Sequence, residues 1–509
     1  AFAVLAAVLL VTLDSAPLAA QHSPAASPPA TPPASLHSSP HLIPQLFPPL
    51  PRDGFSMVNG RNHPRMDWQS ARTEHFEIIY PRHLDGIQHQ AATIADATYE
   101  SLSTALGVSP ERRIRIYLGD PDEIVNGYAV PIPDAYTAIW VGLNDVAEAW
   151  SGPEKWLRTV IAHELAHIFH YEAVRPDLPL LGILGIAGSL PDPWTEGLAQ
   201  YLTEPWHVYR GDALLRTATY DGRLSYTDGA SLRNGGLMYA SGNAQLRYFA
   251  STYGDSLLPA LFAHREDKLG GLVKIHDFQS AFRDVTGTSF DAFTDDWRRH
   301  MAIYYHTLAG GMQRLDSLGT TPDTLGGPYV QSVLDSPDGR LTAVVSIVSN
   351  DQPFQRLEVF AKRTERPAMS DSAQANPSSK LDPPTTRYTS RITIAEGSFN
   401  PVLAWSPDSR HLHWSATGRA RDGSLVHDLY RAEIRPETRI KRSPPLFGET
   451  DTLIHLKAGR IQPLTRGRRA VHPQLTPDGK GLYFVANDRG TGNIHHLDLA
   501  TRIETPVTR

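Results

Sequence analysis

The chain has 509 residues, enough for two or three domains with sizeable cores; its formal net charge is -6, and no basic stripe interleaved with aromatics runs along it, which excludes nucleic acid as an expected partner. It contains no cysteine, so structural disulfides, a lipid-bearing cysteine and thiol catalysis are excluded, while no compartment follows from that alone. In chain order, the apolar run Ala1 to Leu13 followed by Ala16-Pro17-Leu18-Ala19-Ala20 resembles a secretory signal peptide over residues 1–20 that begins inside its own signal. Export to a periplasm or the extracellular space is expected. The run is shorter than the roughly 20 residues a spanning helix needs. Residues 21–66 are rich in Pro, Ser and Ala, too poor in core-forming side chains to pack, and read as an extended linker. From about Asp67, His75 to Pro81 and Ile114 to Leu118 read as strands, Ile87 to Leu106 carries helical spacing, and Thr137 to Val141 reads as a further strand.

The run Thr159 to His170 contains His163, Glu164 and His167 in the order H-E-x-x-H. Residues four apart share a helix face, so two imidazoles can meet one ion while the adjacent glutamate reaches the water bound to it, the arrangement zinc hydrolases use. Ser151 and Glu154 are placed as a capping box with Pro153 in the first turn, Trp156, Leu157, Val160, Ile161, Leu165 and Ile168 mark an apolar face, and Pro176 supplies the stop. His170 lies two turns from His163, about 10 Å along the axis, too far for one zinc with bonds of about 2 Å to hold both. The metzincin pattern is excluded because His170 and Ala173 stand where it has glycine and histidine. The apolar stretch 178–190 fits a helical hairpin or loop packed on the core; the alternative is a lip that contacts lipid or hydrophobic substrate. Downstream, Pro193-Trp194-Thr195-Glu196-Gly197-Leu198-Ala199-Gln200-Tyr201 starts helix-like after a proline, with small residues beside Glu196 that would let two helices pack closely.

H-E-x-x-H followed by a tryptophan and E-G-x-A-x-Y resembles the gluzincin metallopeptidases, particularly the peptidase MA-like group related to the M1 aminopeptidases. The resemblance implies an α+β domain over 67–310, zinc ligands His163, His167 and Glu196, and Glu164 as general base. Two features depart from it: a single residue separates Trp194 from Glu196, and the stretch from His167 to Glu196 is long, as an inserted loop would make it. Tyr239-Ala240-Ser241-Gly242 is similar to the family's Y-x-x-G element, which implies that Tyr239 donates to the oxyanion; a tyrosine packed at a helix entry is the other reading. Phe278, Phe282, Gly287, Phe290, Phe293 and Trp297 form a pattern expected of a helical subdomain that closes the cleft, its aromatics assigned to the core. In gluzincins the strand edge before the zinc helix pairs with extended peptide, and Thr137 to Val141 is expected to be that edge. Upstream, Asn126-Gly127-Tyr128-Ala129-Val130-Pro131 resembles the corresponding segment of the MA-like group, a tight loop being the other reading. The M1 motif G-x-M-E-N, whose glutamate holds a free amino terminus, does not occur, so internal cleavage is expected.

After about residue 325, Ser336-Pro337-Asp338-Gly339-Arg340, Ser406-Pro407-Asp408-Ser409-Arg410 and Thr476-Pro477-Asp478-Gly479-Lys480 repeat one turn phrase, each followed by an alternating strand. Proline fixes φ, aspartate bonds nearby backbone, and glycine tolerates the left-handed conformation before the next strand. The phrases resemble the blades of TolB-like β-propellers, which implies a partial all-β propeller over 325–509, expected to be cut short at Arg509, with a polar, proline-rich insertion at 365–390. The fold class expected is therefore multidomain: an α+β gluzincin-like metallopeptidase domain, then propeller blades. The function expected is an exported metallopeptidase with one zinc ion per chain, a polypeptide substrate and a propeller that limits access or binds a protein partner. Two rival readings are a propeller-based binding protein on a peptidase-like scaffold and a zinc hydrolase of a non-peptide bond.

Overall fold

Alternation in Phe76–Pro81 (β2) buries Phe76, Ile78 and Tyr80 on one side, and the same period in Ile114–Gly119 (β3) buries Ile114, Ile116 and Leu118 beside them. The computed structural model describes residues 66–508 apart from internal stretches, the longest being 143–154, 177–189, 225–234, 313–324, 366–384 and 443–449. Trp68–Arg72 (β1) pairs antiparallel with β2, while β2, β3 and Tyr136–Trp140 (β5) run parallel and Gly127–Val130 (β4) pairs antiparallel with β5, giving the order β1-β2-β3-β5-β4. Ile87–Leu106 (α1) lays Ala91, Ala95, Tyr99, Leu102 and Leu106 on this sheet and ends at Gly107, whose φ of 68° is left-handed. Trp156–Val174 (α2) packs beside it and is buried almost all round, as a helix enclosed by a domain must be.

One expectation is corrected here. The Thr137 to Val141 strand is not the edge, because Gly127–Val130 (β4), part of a stretch whose other reading is a tight loop, forms an outer strand beyond it. The described part of α2 starts after Lys155, and the Ser151/Glu154 capping box lies outside the described residues, as do 178–189 and the linker and signal stretches.

Asp192–Thr203 (α3), Leu214–Tyr220 (α4), Gly235–Tyr253 (α5), Leu258–Ala263 (α6), Phe278–Thr286 (α7) and Phe290–Gly310 (α8) complete this part, with a small hairpin of Glu266–Lys268 (β6) and Val273–Ile275 (β7). Trp194 is fully buried within a ring of Phe249, Phe278, Phe282, Phe290 and Phe293, nearly all edge-on at centroid distances of 5.2 to 6.1 Å. These aromatics belong to the same core as the sheet. They surround Trp194 near the start of α3, buried as the sequence leads one to expect.

The carboxy-terminal part consists of three successive antiparallel sheets. The first orders Tyr329–Asp335 (β8), Leu341–Ser349 (β9), Gln352–Glu365 (β10) and Thr385–Gly397 (β11) as β11-β10-β9-β8. The second runs Phe399–Trp405 (β12), His411–Arg419 (β13), Leu425–Arg442 (β14) and Thr450–Ala458 (β15), with Gln462–Pro463 (β16) added to β14. Ala470–Leu475 (β17), Gly481–Asp488 (β18), Thr491–Asp498 (β19) and Glu504–Pro506 (β20) form the third. Each repeated phrase turns the first strand of its sheet into the second. Asp338, Asp408 and Asp478 each accept the backbone N–H two residues on at 3.1 Å, and Gly339, Ser409 and Gly479 take φ of 70°, 60° and 69°. The sheets are propeller-like in this four-stranded meander, and among the described residues they do not close into a barrel or ring.

The sheets dock on the first part through the loop after β3. Asp122 accepts from the Leu425 amide at 2.7 Å, the Glu123 amide donates to the Leu425 carbonyl at 2.8 Å, and Arg469 donates to the Asp120 carbonyl at 2.6 Å. That loop leads into β4.

His413 on β13 is 1 % exposed, and its burial pushes the imidazole down from 6.5 to about 4. The unfolded chain takes up this proton near pH 6.5 while the folded chain resists until about 4, so the stability it contributes is full above pH 6.5 and falls as the pH drops towards 4. The loss is roughly 3 kcal/mol at the acid end. His413→Leu is expected to flatten this part of the decline in thermal midpoint between those two pH values; an unchanged slope contradicts it.

Candidate metal centre

Placing His163 and His167 one turn apart on α2 sets their rings 4.9 Å apart, centroid to centroid. Across from them, α3 presents Glu196, whose Oε2 lies 3.2 Å from His163 Nε2 and 3.4 Å from His167 Nε2. One ligand atom from each of the three lies within 4.8 Å of the others, and this is the one such group among the described residues. Two nitrogens and one carboxylate oxygen converging in a largely buried site are a donor set that fits zinc with an open position. The electrostatics agree with a cation site. Burial works against charge on both partners, yet Glu196 and Glu204 outweigh it and raise His163 to about 10, while His163 and His167 hold the Glu196 carboxyl well below the usual range.

Glu164 projects from the same turn of α2 but belongs to no ligand group, and burial raises its carboxyl pKa against the opposing pull of His163 and His167. It lies against the outer strand: a Cβ at Gly127 would stand 2.8 Å from Glu164 Oε1 and 2.5 Å from Val160 Cγ2. Only glycine lets β4 pass this close to the helix. Tyr239, on α5, has its ring 5.8 Å from that of His163 at 27°, and burial together with Glu196 raises its hydroxyl pKa, so the phenol stays protonated as a donor. The structure thus brings all five residues singled out from sequence to one place. His170 stays outside: it is 1 % exposed, neither ring nitrogen has a hydrogen-bond partner among the described residues, and burial pushes it down to about 3.

The crossing of α3 and α5 is what sets Glu196 beside Tyr239. A Cβ on Gly197 would lie 2.2 Å from the Gly242 carbonyl carbon, and one on Gly242 would lie 1.6 Å from the Pro193 oxygen. The two helices therefore touch backbone to backbone. Trp194 locks the same crossing by donating to Gln245 at 2.7 Å.

Glu204, which the sequence does not single out, lies beside the site. Its side chain is 5 % exposed, ion-paired to Arg210, and its Oε1 lies 3.7 Å from His163 Nδ1, the ring nitrogen facing away from Glu196. At that distance the two make no hydrogen bond, and the carboxylate acts on the imidazole through its charge, which raises the basicity of the ring. Its spacing from Glu196 through Gln200, two helical turns on one face, is the signal that could have found it. Glu204→Gln keeps the shape without the charge and is expected to weaken zinc affinity about 10- to 100-fold in a chelator competition. Unchanged affinity would remove Glu204 from the site.

Residues 89–191 match the family described as Peptidase family M48. That stretch includes His163, Glu164 and His167 and stops short of Glu196 and Tyr239. The match supports a zinc metallopeptidase, whereas nothing in it singles out the M1-related group. No curated protein matches the chain. Among solved structures, the chain is similar to the tricorn protease (12% identity, 33% of this chain and 14% of that one, TM-score 0.17) and to TolB from Acinetobacter baumannii (14%, 35% and 43%, TM-score 0.16). A further likeness is to a protein described as putative TolB from Agrobacterium tumefaciens (13%, 36% and 62%, TM-score 0.16). The chain spans less than two thirds of the length of each.

Proposed function

We propose that the chain is an exported zinc-dependent endopeptidase, with His163, His167 and Glu196 holding one zinc ion, Glu164 as general base and Tyr239 as oxyanion donor. The observation that carries this reading is the convergence of the three ligand atoms within 4.8 Å, with Glu164 beside them against the outer strand. When bound, zinc supplies Lewis-acid activation of water and of the scissile carbonyl. Glu164 takes the proton of the attacking water and passes it to the leaving amine. The Tyr239 hydroxyl donates to the oxygen on which charge develops. Glu204 faces His163 Nδ1 and raises the basicity of the ring through its charge. Outer strand β4, hydrogen-bonded to β5 on one side, offers its other side to an extended polypeptide by main-chain pairing. No covalent acyl-enzyme forms.

The β-sheets beyond residue 325 act in this reading as a filter on which chains reach the cleft or as a surface for a protein partner, since their docking loop leads into β4. Export rests on the small-residue run after the apolar Ala1 to Leu13. No helix among the described residues is long and apolar enough to cross a membrane. Contact with lipid through 178–190 falls largely outside the described residues.

Mass spectrometry of the products from a peptide with a free amino terminus and from its acetylated twin tests the mode of cleavage. Equal internal cutting of both is expected. Stepwise single-residue release from the free form alone would point to an aminopeptidase instead.

A further inference from the structure

Behind the α3–α5 crossing, a cavity of about 300 Å3 opens between α4, α5 and α8. Its walls are mainly apolar and aromatic, with Trp206, Leu215, Ala244, Met301 and Tyr304 among them, and Arg247 is the arginine that lines it. Arg247 lies on α5 two turns beyond Tyr239, about 12 Å along the axis. It is a separate place from the metal centre.

The setting of Arg247 is unusual for a half-buried cation. Its guanidinium stands 5.6 Å from the centres of both the Tyr201 and the Trp206 rings. Nε donates to Asn243 Oδ1 at 3.0 Å, and Nη2 donates to the Glu204 carbonyl at 3.4 Å. Both acceptors are neutral, and among the described residues no carboxylate pairs with it. The acids around the cavity are committed elsewhere: Asp212 accepts from Tyr305 at 3.1 Å, and Asp296 accepts from Tyr248 at 2.6 Å and pairs with Arg299. Removal from water lowers the Arg247 pKa, so the site holds a charge that is both desolvated and short of an anion. A planar guanidinium with free N–H groups matches a carboxylate in two parallel hydrogen bonds.

We infer that this cavity binds the free carboxy terminus of a peptide, the terminal carboxylate on Arg247 and an aromatic last side chain against Trp206, Leu215 and Met301. The positive charge selects the acid and the apolar wall selects the side chain, the usual division of labour in a small-ligand pocket. This site does not depend on zinc or on turnover, so it stands or falls apart from the peptidase reading. The Glu204 carbonyl that faces Arg247 belongs to the residue whose carboxylate faces His163, which puts the occupant one residue away from a metal ligand.

The test uses the whole chain labelled with 5-fluorotryptophan, the Trp206 fluorine signal being assigned by its loss in Trp206→Phe. N-acetylphenylalanine is titrated against its amide, N-acetylphenylalaninamide, which differs only in the charge. Saturable movement of the Trp206 signal by the acid, with the amide at least about tenfold weaker, is expected. Equal response to acid and amide, or none to either, overturns the inference. Arg247→Met, which keeps the stem, is expected to abolish the preference for the acid, and a preference retained in that variant would assign the effect to a carboxylate bound elsewhere, such as at the metal. The acid and amide comparison on the unaltered chain stands even where the variant does not fold.

Discussion

Glu164→Gln is expected to keep its zinc and lose turnover by about 10²- to 10⁴-fold, the range seen when a positioned general base is removed. The amide preserves the volume packed against Gly127 and Val160, so α2 and the outer strand keep their places. What is lost is the ability to take a proton from water. Because Glu164 is not in the ligand group formed by His163, His167 and Glu196, metal content is expected to be unchanged. The comparison is kcat on one internally cleaved peptide with zinc measured in the same samples. Turnover at the level of the unaltered chain would remove Glu164 as the base; parallel loss of zinc and activity would make it a residue of the metal site instead.

Among the described glycines, Gly242→Ala is expected to be the most damaging substitution. The added Cβ would fall 1.6 Å from the Pro193 oxygen and 2.5 Å from its carbonyl carbon, which are backbone atoms at the start of α3 and cannot swing aside. The helices must separate, with an overpacking cost of about 1–3 kcal/mol or more. Glu196 rides on α3 and Tyr239 on α5, so separation displaces both from the His163 and His167 pair. A lowered thermal midpoint together with weakened zinc binding is the expected pair of results. Gly310→Ala, where a Cβ would meet nothing within 4 Å, is the control. If Gly242→Ala binds zinc like the control, the helix crossing does not set the metal site.

Much of the catalytic part is legible because its signals are local. Helical spacing gives α1 its limits at Ile87 and Leu106, and alternation finds β2 and β3. H-E-x-x-H needs only one helix to bring its residues together. The turn phrases are legible for the same reason, since Asp338, Asp408 and Asp478 bond their own loops.

What escapes the sequence depends on neighbours far along the chain. Strand order is one such property: β5 alternates like an edge strand but is covered by β4, whose Gly-Tyr-Ala-Val stretch carries no apolar run to announce it. The packing of Phe278, Phe282, Phe290 and Phe293 becomes visible only when they surround Trp194. Glu204 looks like any surface acid near a helix end until His163 is found behind it. The docking of Asp120, Asp122 and Glu123 on the later β-sheets has no local mark in either segment.

Native mass spectrometry of the zinc-loaded chain, set beside Glu196→Ala, tests the metal centre most directly. One zinc ion per chain is expected, lost when Glu196 is truncated because only the two imidazoles remain of the three protein ligands an open catalytic site needs. Undiminished zinc in a folded Glu196→Ala chain would contradict the assignment and move the third ligand elsewhere.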